Sequence, residues 1–428
     1  MKIVKFDYGK NGIEIKIAPS WNVTIIEPIT QKALINPINS LKTAIKNPLG
    51  GRSLEEIIRE KEKLESICIV VSDATRPVPS YLIIEAIISE LENLGIESSI
   101  ITILIATGLH RPSNNEEIQR IVGKKHYNKV KVINHNAKDD NTLQDLGKFD
   151  DGTPISINTL FLTSDLKIVT GYVEPHFFFG FSGGAKTILP GIAGKETIMY
   201  NHSAENIASP YSRFGIYEKN PMAEISSNIA KKIDIDFAVN VCINEKHQIT
   251  KALAGNLEKV HDKLVQYQLE HVFRPVKQPF DILVCGNGGY PLDINLYQAV
   301  KSMAIGEMAV KPGGTIISVN ECSDGVGVNQ DDFRDLLFSG LTPKDIYAKV
   351  LKKEIVVPDQ WEIQVLARIM QKAEIYVISM LKEHELGNIG LKYADSVENA
   401  IYKALEVHGD VARILFLPHG PQILPKIV

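Results

Sequence analysis

The chain has 428 residues, of which 44% are hydrophobic and 23% charged. That composition excludes a disordered or fibrous protein, and the length predicts about two to four domains. Lys and Arg number 47 against 51 Asp and Glu, a formal net charge of -4. Such a surface has no general pull on nucleic acid or anionic lipid, so neither is expected as a partner.

Four cysteines, Cys68, Cys242, Cys285 and Cys322, are widely spaced and form no CxxC pair. A zinc ribbon or a disulfide framework is therefore not expected, and the three in apolar runs read as buried small hydrophobes. The N-terminus alternates apolar and polar residues, and no apolar run approaches about 18 residues. The chain reads as cytoplasmic, with no membrane partner.

The first elements are strands: KIVKFDY and IEIKIA alternate with period two around the turn GKNG. From Ser53, SLEEIIREKEKLE has helical spacing and a Ser cap. ICIVV, SYLIIEAIISELENLG and ITILI then read as strand, helix and strand. Near-continuous apolar strands separated by amphipathic helices predict a parallel sheet covered on both faces. NEEIQRIVG, VKVINH and DLKIVTGYV continue the pattern. Residues 174–221 break it with Gly, Pro and aromatics, as a functional loop region does. MAEISSNIAKKI, FAVNVCIN and a long helix follow, and the Pro-containing segment at 274–279 reads as a domain boundary. A second α/β unit then begins at FDILVCGNGG and continues through LYQAVKSMAIGEMA, GGTIISV, helices near 330–353 and 359–373, EIYVISM, SVENAIYKALEVHG and ARILFLPHG. The fold class is thus α/β, with two domains and largely parallel sheets.

Four constellations follow strands or lie in the irregular segment, where open α/β sheets bind ligands. In Ser72-Asp73-Ala74-Thr75-Arg76-Pro77, Asp73 could cap the turn or pair with Arg76. Alternatively, Arg76 offers a planar fork to a carboxylate or phosphate. In Ala106-Thr107-Gly108-Leu109-His110-Arg111-Pro112, His110 is a structural histidine or a proton-transfer group with a pKa suited to neutral pH. The densest is Glu174-Pro175-His176-Phe177-Phe178-Phe179-Gly180-Phe181-Ser182-Gly183-Gly184-Ala185-Lys186-Thr187, with Asn201-His202 downstream. It is a near miss to the phosphate loop G-x-x-x-x-G-K-[ST], with Ala185 before the lysine. Lys186 in an apolar setting could also act as a nucleophile. The fourth, Gly286-Asn287-Gly288-Gly289-Tyr290-Pro291-Leu292-Asp293, reads as an anion-friendly turn before a helix. Tyr297 and Lys301 share a face of that helix, four residues apart. His135 reads as a satisfied strand-end histidine.

Taken together, SDATRPVP, ATGLHRP, EPHFFFGFSGGAKTILPG, the Asn-His at 201–202, GNGGYPLDINLYQAVK and PDQWEIQ resemble the nickel-pincer-dependent lactate racemase family. The motifs run in order from residue 72 to about 365. The resemblance implies a racemase interconverting D- and L-lactate, or a related 2-hydroxy acid such as malate, phenyllactate or gluconate, by hydride abstraction and return. It implies a nickel-pincer nucleotide, the pyridinium-3-thioamide-5-thiocarboxylic acid mononucleotide with nickel, joined covalently to Lys186 and supplied by cofactor-biosynthesis proteins. His202 would be the nickel ligand, and Asp73, Gly183 and Gly184 would contact the cofactor. His110 and His176 would be the paired acid and base. Arg76 and Lys301 would hold the substrate carboxylate, with Tyr297, Gln298 and Trp361 nearby. It also implies an active site in the cleft between two domains, residues 1–274 with the returning tail 405–428, and residues 278–404. A reading from another class is a phosphotransferase or nucleotide hydrolase using SGGAKT as a variant phosphate loop.

Overall fold

A computed structural model describes residues 2–328 and 330–428. The chain divides into two compact units, residues 30–270 and residues 1–29 together with 271–428.

Residues 30–270 are built on a six-stranded sheet in the order Ile249–Gly255, Phe237–Ile243, Leu166–Tyr172, Ile67–Ser72, Ile101–Ala106, Lys131–Asn134. All pairs are parallel except the Ile249–Gly255 edge, which is antiparallel to its neighbour. The chain runs outward from Ile67–Ser72 through the next two strands, then returns to place Leu166–Tyr172 on the other side. The order therefore reverses beside Ile67–Ser72, which makes the carboxyl ends there a topological switch point. The period-two alternation of that strand sets the two faces. Ile67, Ile69 and Val71 enter a core under the helices Pro37–Lys46, Leu54–Glu60 and Ser80–Asn93. Cys68 and Val70 enter the opposite core with Phe161, Ile188, Leu189 and Ile229. The helix at Leu54 starts on the expected Ser53, completed to a capping box by Glu56. An antiparallel ribbon, Leu143–Lys148 with Pro154–Asn158, was not foreseen in the sequence.

The second unit carries a six-stranded, fully parallel sheet in the order Lys392–Tyr393, Glu374–Ile378, Val310–Val319, Phe280–Gly286, Arg413–Leu417, Asn22–Ile25. This corrects the expected division of the chain. Residues 1–29 do not belong with 30–270, because Asn22–Ile25 pairs in parallel with Arg413–Phe416. The hairpin Lys2–Phe6 with Ile13–Ile17 buries Phe6 and Ile15, and Trp21 after it joins them, in the core shared with the helix Val397–His408. Nor does the tail from 405 return to the first unit: Arg413–Leu417 lies between Phe280–Gly286 and Asn22–Ile25 in the second sheet. The expected helical stretch at 330–353 is two helices, Asp331–Leu337 and Pro343–Leu351, the second opened by a Thr342 capping box and Pro343. All four cysteines are free and buried. Among the described residues, no helix is long and apolar enough to cross a membrane.

Candidate active site

Ser72 and Ala106 are paired in parallel register, so the segments that follow them leave the sheet side by side. Asp73 and His110 meet there: Asp73 Oδ2 is 2.7 Å from His110 Nδ1. The other oxygen of Asp73 accepts from the Thr75 backbone N–H at 3.2 Å and from Thr75 Oγ1 at 2.7 Å. Asp73 is buried, whereas the His110 side chain is 48% exposed. Burial pushes the Asp73 carboxyl up, but the His110 hydrogen bond and charge, then Arg76 and Thr75, outweigh it and hold it below its ordinary value. An ionised Asp73 draws the imidazole proton onto Nδ1. Nε2 then carries a lone pair on the exposed side. Of the alternatives open in the sequence, Asp73 is neither a simple cap nor only a partner for Arg76; it orients a histidine 37 residues away. The half-buried Arg76 lies in the same turn, its backbone N–H on Asp73 O at 3.3 Å.

His176 follows Leu166–Tyr172, on the other side of Ile67–Ser72. The two histidine-bearing segments thus flank the turn that holds Asp73 and Arg76. His176 sits in the short ribbon Pro175–His176 with Gly180–Phe181, where Phe178 meets its ring edge-on at 4.6 Å. Its Nδ1 accepts the Phe179 N–H at 3.2 Å, so a neutral ring carries its proton on Nε2. The two histidines are held in opposite tautomers. Phe177, Phe178, Phe179 and Phe181 are all buried, which makes the expected apolar wall.

Lys186 lies in the short turn Gly184–Thr187, with Nζ 4.9 Å from the Phe179 ring centroid. Gly183 and Gly184 have φ of 73° and 55°, in the region that favours glycine. A Cβ on Gly183 would lie 2.8 Å from Tyr172 O, and one on Gly184 2.6 Å from the His261 ring. The turn is fastened from behind. Gly184 N–H reaches Asn240 Oδ1 at 3.4 Å, the His261 ring meets Ser182 O at 3.0 Å, and Thr187 Oγ1 donates to Thr170 O at 3.3 Å. These bonds count against the phosphate-loop reading, because the Gly184 donor and the Thr187 hydroxyl face the protein. The turn also opens no long helix, as a phosphate loop does. Asn240 and His261 were missed in the sequence; one lies in a buried strand and the other in a long helix, and only packing brings them under the turn.

His202 caps the helix Lys195–Asn201 and is 6% exposed. Burial, reinforced by the Lys186 charge, drives its pKa down to about 3. Its Nδ1 lies 3.1 Å from Ile198 O, an acceptor, so the proton sits on Nδ1 and Nε2 has the lone pair. A neutral imidazole fixed by a carbonyl on its second nitrogen is what a metal ligand requires. Among the described residues, no group of three or more His, Cys, Asp or Glu is placed to hold a metal. A metal on His202 would need its remaining donors from a bound organic group.

The second unit holds the other expected residues. Helix Leu296–Glu307 carries Tyr297, Gln298 and Lys301, with Lys301 Nζ 2.5 Å from Gln298 Oε1. The indole of Trp361, on helix Gln360–Lys372, donates to the Tyr297 hydroxyl. Trp361 therefore holds Tyr297 in place. The preceding Gly286–Asp293 turn is not the open anion cradle expected. Tyr290 N–H is bound to Gly9 O at 2.9 Å, Asp293 Oδ2 accepts Gly9 N–H at 2.7 Å, and Asn287 donates to Leu292 O and Gln298 O. His135 is satisfied as expected, by Ala193 O at 2.9 Å and Asn158 Nδ2 at 3.1 Å.

Comparison with known proteins bears on this arrangement. The family model for the lactate racemase N-terminal domain matches residues 8–215, and that for the lactate racemase C-terminal domain matches residues 276–424. A lactate racemase of Thermoanaerobacterium thermosaccharolyticum is 35% identical over 431 residues, 100% of both chains. One from Lactiplantibacillus plantarum is 35% identical over 390 residues, 90% of each. The solved lactate racemase apoprotein of T. thermosaccharolyticum superposes with a TM-score of 0.90 at 32% identity, covering 99% of this chain and 100% of that one. A Thermotoga maritima protein shares the fold alone, at a TM-score of 0.66 and 19% identity over 91% of this chain and 98% of its own. With both family models matched and identity at this level across the full length, the chain belongs to the lactate racemase family.

Proposed function

We propose that this protein racemises lactate, by removing the hydrogen at the stereocentre as hydride and returning it to the opposite face. The observation that carries the reading is the strand-end arrangement of an Asp73-oriented His110 and a Phe-walled His176 on either side of one turn. The reading includes a nickel-pincer nucleotide, and the residues fit such a group. His202 is buried with its pKa driven down and its Nδ1 turned to a carbonyl, as a metal-binding imidazole is held, and no protein cluster of three or more metal-binding side chains occurs among the described residues. His202 would hold the nickel and Lys186 the organic part, by a covalent bond from its amine. When bound, the group supplies an electrophilic acceptor for hydride.

The chain's own residues handle the proton and the carboxylate. The hydrogen on a hydroxy-acid carbon is a very weak acid, so its loss as hydride is eased when the hydroxyl loses its proton in the same step. His110 Nε2 is the base, and Asp73 stabilises the imidazolium that forms. His176 presents Nε2–H to the substrate oxygen and donates where His110 accepts. For the opposite enantiomer His176 is the base, which requires its proton to move to Nδ1 and the bond from Phe179 N–H to be released. Arg76 is assigned the carboxylate, which keeps the reacting carbon oriented through both half-reactions, and Lys301 is a second candidate for that role. Tyr297, Gln298 and Trp361 are assigned to the substrate pocket, where the indole favours a short side chain.

The test is production in a host that makes the cofactor, followed by chiral analysis of lactate and the intact mass of the protein. Racemisation together with added mass on the Lys186 peptide is expected. Loaded protein that turns over malate or gluconate but leaves lactate untouched would overturn the substrate.

A further inference from the structure

We propose that Glu362 is a positioning residue for the substrate carboxylate, a buried acid that must carry its proton for Lys301 to receive that carboxylate. The inference rests on the proposed reading of Lys301 and deepens it.

Helix Gln360–Lys372 packs along helix Leu296–Glu307. Glu362 lies in the first turn of the former, directly after Trp361, and is 1% exposed. Its Oε2 is buried without a hydrogen-bond partner among the described residues. An unsatisfied carboxylate in such a place is costly, so the protonated form is favoured. Burial moves the pKa up to about 8, with the Lys301 charge pulling down and the Asp359 charge pushing up. Helix Leu296–Glu307 turns two titratable groups toward Glu362, Lys301 and Tyr297; Asp359 reaches it from the start of its own helix. Helix Asp331–Leu337 contributes the Phe333 ring, edge-on to Tyr297 at 5.4 Å. Arg368, further along the Glu362 helix, is taken by Glu307 at 3.0 and 2.6 Å.

The consequence is electrostatic. With Glu362 neutral, Lys301 presents a positive charge to an incoming carboxylate. With Glu362 ionised, that charge is already balanced. Carboxylate binding and the Glu362 proton therefore favour each other, as linkage requires.

The experiment measures KM and kcat for lactate on cofactor-loaded protein between about pH 6 and about pH 9.5, bracketing the raised carboxyl. In the wild type, KM should rise by up to about tenfold per pH unit on the alkaline side while kcat changes less. Glu362→Gln keeps the shape without the titration and should hold KM level across the range. Glu362→Asp should keep a rising KM. A level KM in the wild type overturns the proposal without any variant. So does a Glu362→Gln protein whose KM still climbs, or whose KM is raised equally at all pH values, as a purely structural role would give. Lys301→Met is the separate control: an unchanged KM there sinks the carboxylate assignment itself, and the Glu362 proposal with it.

Discussion

Replacing Asp73 with Asn tests the histidine dyad at one atom. In the wild type, one carboxylate oxygen accepts the His110 Nδ1 proton at 2.7 Å while the other takes two donations from Thr75, at 3.2 and 2.7 Å. An amide in this place has one acceptor and one donor end. The two Thr75 donors claim its oxygen, which turns the NH2 toward His110. The ring must then accept at Nδ1 and carry its proton on Nε2, the tautomer that cannot take a proton from substrate. The imidazolium also loses the counter-charge of the buried Asp73. By analogy with other carboxylate-oriented histidines, kcat should fall by about 10² to 10⁴, or ~3–5 kcal/mol of barrier, with KM little changed. Steady-state racemisation of lactate by loaded protein reads this directly, with metal content measured alongside. Activity within about threefold of the wild type would refute the dyad, as would full activity per bound nickel with a lowered nickel content, which would make Asp73 a cofactor contact alone.

The protein without cofactor should be acid-sensitive. His202, His261 and His135 are buried neutral imidazoles with pKa values lowered chiefly by burial, the first two to about 3 and about 4. The unfolded chain binds those protons near pH 6.5, so their stability contribution is complete above that pH and is lost as pH falls toward the folded values. At up to about 1.4 kcal/mol per group and pH unit, melting temperatures should drop steeply from pH 6.5 to pH 5; a level profile would contradict the burial of these rings. Gly184→Ala forces a Cβ to 2.6 Å from the His261 ring at a φ of 55°, and should cost about 1–3 kcal/mol in thermal or urea unfolding while reducing cofactor mass on Lys186. His202→Ala should abolish nickel retention, measured by elemental analysis, while leaving the melting temperature of cofactor-free protein within a few degrees; retained nickel would remove His202 as the ligand.

Much of the site was legible because parallel strands announce themselves as continuous apolar runs, and ligands gather at their carboxyl ends. ICIVV, ITILI and DLKIVTGYV therefore located Asp73, Arg76, His110 and His176 without any contact being known. The motif order sufficed for the family. Tertiary structure alone decided what depends on strand neighbours distant in sequence. The Asp73–His110 pair exists because Ser72 and Ala106 share a register position, and nothing local to either segment encodes that. The seating of the Gly183-Gly184 turn on Asn240 and His261, and of Glu362 beside Lys301, arises in the same way from helix and strand packing. The domain division was misjudged for a related reason. The strand Asn22–Ile25 is short and weakly patterned, and its place is set by hydrogen bonds to Arg413–Phe416, nearly four hundred residues later. Periodicity reports which face of an element is buried, whereas the partner that buries it is chosen by the whole fold.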